Sequence, residues 1–146
     1  MAADFGTFLT LYARYMAPNF SDFGLTIMNC IQACAMARNR GFRVETVVGY
    51  AVYTDGLRSL YAWIRHGDII YDLGRLLRLV SRRQMINRQY KLVPCLDAEV
   101  DAVHYVNEFI TKNKSFIIAY YVVADRVNDA WNRLVNRLCL HKNIIY

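Results

Sequence analysis

The chain has 146 residues, 55% of them hydrophobic and 21% charged, with 2 Pro and 7 Gly. This composition excludes a disordered or collagen-like chain, and the length suits one domain, residues 1–146, with a core of its own. The formal net charge is +6, and the surplus lies in the second half: residues 1–72 carry six basic and six acidic side chains, residues 73–146 twelve and six.

In chain order, Phe5, Phe8, Leu9, Tyr12 and Met16 form a helical stripe, with Asp4 at its amino end and Pro18 expected to close it. A second helix is expected up to Arg40, stopped by Gly41, its start open between Ser21 or Asp22 and Thr26 or Asn29. From Phe42 the pattern turns extended. Val44 to Val52 suits a strand, Asp55-Gly56 a turn, Leu60 to Ile64 a second strand, and Ile69 to Tyr71 a third, joined to the second through Gly67 as an antiparallel hairpin. Leu76, Leu77, Leu79 and Val80 fit a short amphipathic helix that breaks down before Pro94. Asp97 to Phe109 reads as a helix with Val100, Val103, His104, Val106 and Phe109 at helical offsets, His104 lying in the core or at its boundary. The last segment, Ser115 to Leu140, carries Trp131, Leu134, Val135 and Leu138 on one helix face, supported by Asp129 and Arg133 four residues apart; its front, Phe116 to Val123, fits a buried strand equally well.

Function classes narrow further. Apolar stretches such as Phe116 to Ala124 fall short of the ~20 residues of a spanning helix, and no secretion signal is visible, so the expected setting is the cytoplasm, with the nucleus second, of a cell or of a cell infected by a virus. Cys30, Cys34, Cys95 and Cys139 form no CxxC, and His66, His104 and His141 add no metal-ligand spacing, so free thiols and neither metal nor other cofactor are expected. Between Asp72 and Asp97 stand Arg75, Arg78, Arg82, Arg83, Arg88 and Lys91 without a carboxylate among them. Such a stretch suits phosphate, anionic lipid or an acidic protein, or is simply a solvated positive face. Eleven tyrosines add rigid rings with a polar edge, which favour protein recognition, with self-association as one form of it.

The most informative run is Asn29 to Asp72. A thiol in the first turn of a helix meets unpaired backbone N–H groups, which favour its thiolate, and Cys30 is expected there, with Ala33, Cys34 and Ala37 letting strands approach. The order Cys30, Ala33, Arg40-Gly41, Gly49-Tyr50, Ala62-Trp63, Gly67 and Tyr71-Asp72 resembles the transglutaminase-like branch of the papain-like cysteine enzymes. The resemblance implies an α+β fold, a small antiparallel sheet packed on a central helix with additional C-terminal helices. It also implies a catalytic set of Cys30, Tyr61 and Asp72, in which Tyr61 stands where the family keeps its histidine, eleven residues before the aspartate.

A phenol is a poor base near neutral pH, so the expected function is a catalytically silent domain that binds a protein partner through a basic, tyrosine-rich surface comprising Trp63 and the Arg75 to Lys91 cations. Two alternatives stand beside it. One is an active thiol hydrolase or acyltransferase with Cys30 as nucleophile; the other is nucleic-acid binding through Arg75 to Lys91. Plainer readings of the same residues are Cys30 and Cys34 as core packing, Trp63 as a core ring, Asp72 as a helix cap, and a hydroxyl of Tyr61 bonded to Asp72.

Overall fold

The computed structural model describes residues 4–20, 25–81 and 89–145. Helix α1 (Phe5–Phe20) buries the expected stripe of Phe5, Phe8, Leu9, Tyr12 and Met16. Asp4 caps it, its Oδ1 accepting from the Thr7 backbone N–H and hydroxyl, both at 2.8 Å. Pro18 does not end α1. It sits in the last turn, where its missing N–H removes one bond and the helix still reaches Phe20, which is buried.

Helix α2 (Thr26–Arg38) starts at the later of the expected places, after Leu25; Ser21 and Asp22 lie outside the described residues. Gly41, at φ 89°, turns the chain out of α2 into β1 (Glu45–Tyr53). Strands β2 (Arg58–His66) and β3 (Ile69–Tyr71) complete the expected hairpins, with the Leu57 N–H donating to Asp55 in the first turn at 3.0 Å. Helix α3 (Leu73–Ser81) follows.

The sheet has a strand more than expected. Tyr90–Pro94 forms β4, antiparallel to β1, and the strand order is β3-β2-β1-β4. Proline and lysine belong on an edge strand, which is why this segment shows so little of a strand pattern. Helices α4 (Leu96–Lys112) and α5 (Lys114–Ile145) follow, and the ambiguous front of the last segment is helical. The architecture is thus a mixed α+β fold, a four-stranded antiparallel sheet packed against several helices.

The sheet buries both faces. Ala62 and Ile64 of β2 join the main core with residues of α1, α2, α3 and α5. Tyr61 and Trp63 point the other way and form a smaller core with Ala51, covered by Val47, Tyr90 and Leu92. Gly49, paired with Tyr61 on one side and Pro94 on the other, makes that smaller core possible: a Cβ there would overlap the Val93 carbonyl and the Trp63 ring.

Helix α4 packs with a different face from the expected one. Ala98 and Ala102 are buried and Tyr105, Val106 and Phe109 lean on the core, whereas Val100, Val103 and His104 are exposed. Small side chains let α4 lie close to β1, so the helix turns Ala98 and Ala102 inward rather than Val100 and Val103. Three helices meet at a buried polar junction. The Tyr120 hydroxyl donates to Asn29 Oδ1 at 2.8 Å, Tyr12 Oη lies 3.0 Å from the same oxygen and 3.1 Å from Tyr120 Oη, and Asn29 Nδ2 donates to the Phe20 carbonyl at 2.9 Å.

Candidate functional site

The hairpin of β2 and β3 brings Asp72 back beside Tyr61, at the start of α3. Asp72 acts first as a cap: its Oδ1 accepts from the Arg75 backbone N–H at 3.1 Å, and its carbonyl accepts from the Leu76 N–H, also at 3.1 Å. The same carboxylate takes two phenols. Tyr61 donates to Oδ1 at 2.6 Å, and Tyr90, delivered by β4, donates to Oδ2. The two hydroxyl oxygens are 3.3 Å apart and the rings meet nearly edge-on, centroids 5.6 Å apart. The Arg75 guanidinium lies over the Tyr90 ring, 4.8 Å from its centroid.

Burial, and then the Asp72 charge, push the Tyr61 phenol far above its ordinary range; burial and the bond to Asp72 raise Tyr90 as well. Both remain neutral donors at any physiological pH. The hydroxyl–carboxylate contact read from the sequence as a structural option is therefore present, with a second tyrosine that the sequence reading missed.

The side chain at the first turn of α2 is Thr26. Its hydroxyl is buried, without a hydrogen-bond partner among the described residues, and it shares a tight space with the Tyr61 hydroxyl around Gly74, where a Cβ would overlap both. Cys30, expected in this first turn, stands one turn further on, as the fifth residue of α2. It is fully buried, and its own carbonyl accepts from the Thr46 hydroxyl at 3.3 Å. Burial first, then Cys34 and Asp72, push its thiol well above the ordinary range, the reverse of the lowered value that a first-turn position favours. Cys34 is also raised by burial.

Neither His66 nor His104 is hydrogen-bonded to Cys30 or Asp72. The His66 ring nitrogen lies 2.9 Å from the Arg43 carbonyl, its ring 5.3 Å from that of Phe5, and His104 is exposed on α4. The residues expected to bind divide. Trp63 is a core ring, 2% exposed, and no platform. Arg78 is 1% exposed, inside the protein and not on a surface patch, because it falls on the buried side of α3 beside Leu77. Arg75 is half-buried against Tyr90, Lys91 is exposed on β4, and Arg82, Arg83 and Arg88 lie outside the described residues. The tyrosines also turn inward: Tyr12, Tyr53, Tyr61 and Tyr120 are buried, and Tyr121 is exposed.

Chemically, the cluster holds a hydroxyl, two neutral phenols and a carboxylate whose oxygens are both engaged. Its two phenols, raised above their ordinary range, are poor bases near neutral pH, and burial pushes the neighbouring Cys30 thiol toward its protonated form. Of the two residues the sequence reading passed over, Thr26 was visible as a helix-start candidate and Tyr90 through its alternation with Leu92. Among the described residues no group of three His, Cys, Asp or Glu is placed to hold a metal ion, and no helix is long and apolar enough to cross a membrane. Comparison of the chain with family models, with curated proteins and with solved structures gives no match.

Proposed function

We propose that the chain is a catalytically silent, transglutaminase-like domain that acts by binding a protein partner. The observation that carries this reading is the state of Asp72. A carboxylate that orients a catalytic base needs one oxygen on that base, and here both oxygens are held by tyrosine hydroxyls. The buried, protonated Cys30 agrees with it, since acyl transfer requires a thiolate that substrate can reach. On this reading the basic surface is the part of the molecule that acts.

Alkylation tests the reading. In the native protein at pH 7.5, iodoacetamide is expected to modify the half-buried Cys95 well before Cys30 or Cys34, with the sites located by mass spectrometry. Labelling of Cys30 ahead of Cys95, and below pH 8, would instead support the thiol hydrolase.

A further inference from the structure

A groove of about 1300 Å³ runs between α1 and α5, floored by β3 and α3. Its floor is apolar, with Leu9, Leu76, Tyr71 and Leu134, and its rim carries Arg14 from α1 and Arg133 and Arg137 from α5. All three arginines are exposed, and among the described residues none is in an ion pair. The expected support of Arg133 by Asp129 is not formed. Arg133 and Arg137 lie one turn apart on one helix, an arrangement that like charges disfavour unless something anionic faces them. The one carboxylate among the described residues lining the groove, Asp4, is already engaged in capping α1.

We propose that this groove is the docking site for a short, acidic, amphipathic helix of a partner protein. The inference rests on the binding function above and names its surface and the chemistry of its partner. An apolar floor between cationic rims matches a helix with leucines on one face and carboxylates along its edges. A nucleic-acid strand would leave the floor uncovered and finds few stacking rings there. The groove's run along α1, from Asp4 to Tyr15, is roughly 16 Å at 1.5 Å per residue, room for a helix of about three turns. Arginine at the rim adds paired hydrogen bonds to carboxylates as well as charge.

Fluorescence anisotropy on the full chain tests this with a synthetic peptide of about 12 residues, leucines at i, i+3, i+4 and i+7 and glutamates on both flanks. Micromolar binding that weakens with salt is expected, with a loss of about tenfold or more in the R133E/R137E double variant and in a scrambled peptide of equal charge. R126E, a reversal on the same helix outside the groove, is expected to bind as the parent does. Circular dichroism of both variants checks that the fold is kept.

The proposal is overturned by absence of binding at roughly 1 mM peptide, by equal binding of the scrambled peptide, or by equal loss in R126E. It is also overturned by tighter binding of a single-stranded oligonucleotide of equal charge. The alkylation experiment is scored independently, so failure of the groove leaves the silent-domain reading standing or falling on its own result.

Discussion

Removing the Tyr61 hydroxyl would leave one oxygen of a half-buried carboxylate with a single backbone donor. Tyr61→Phe is therefore expected to lower stability by about 2 kcal/mol, the usual worth of a hydrogen bond to a charged group, read as a shift in urea midpoint at constant slope. Tyr61→His tests chemistry rather than stability. It places an imidazole beside Asp72, yet the side chain across from it is the Thr26 hydroxyl and Cys30 lies a turn away, so esterase turnover of p-nitrophenyl acetate is expected to stay at the parent's level. The glycines separate space from flexibility. Gly74→Ala forces a methyl onto the Tyr61 hydroxyl and is expected to cost about 1–3 kcal/mol, as overpacking does. Gly6→Ala meets its nearest neighbour, Asp4, at an ordinary 3.5 Å and is expected to be neutral or slightly stabilising by thermal melt.

Among the elements, the junction of α1, α2 and α5 hangs on one side chain. Asn29→Ala takes the shared acceptor from two buried tyrosine hydroxyls, which keep each other and, for Tyr12, Gln32 Oε1, and it removes the donor to the Phe20 carbonyl; a loss of roughly 2 kcal/mol is expected by chemical denaturation. Nothing in the spacing of Tyr12, Asn29 and Tyr120 reveals this junction, since hydrogen bonds between distant segments leave no periodicity. The hairpins were legible because β-branched runs and the Gly56 and Gly67 turns are local signals. β4 was not, since an exposed edge segment with Lys91 and Pro94 resembles a loop until β1 lies beside it. The site was legible in part: Tyr61 and Asp72 are set by a hairpin of fixed length. The thiol misled because Cys30 is the conspicuous side chain near the helix start, whereas the geometry puts Thr26 in the first turn. Arg78 was misplaced for a related reason, because charge in a sequence does not tell which face of a short helix its partners occupy.

At the scale of the whole molecule, buried acids that stay protonated make the fold sensitive to alkali. Cys30, Tyr12, Tyr61 and Tyr120 all have folded pKa values raised, first by burial. Below the unfolded values, near ~8.5 for cysteine and ~10 for tyrosine, both states hold these protons and stability is unaffected. Above them the unfolded chain releases protons that the folded chain retains, so stability falls as pH rises. The urea midpoint is expected to drop steeply between about pH 9 and pH 11, and less steeply in Tyr120→Phe, which has one proton fewer to lose.

Strand β4 joins β1 only after the chain has passed through β2, β3 and α3, so its pairing closes a long loop for five residues of edge ladder. Such a strand is a natural place for the fold to fray first. Its departure would withdraw Tyr90 from Asp72 and uncover the Trp63 indole in a single movement. Acrylamide quenching of Trp63 in a Trp131→Phe background and deuterium uptake at the β1 amides that face β4 are therefore expected to rise together at sub-denaturing urea, while α2 stays protected.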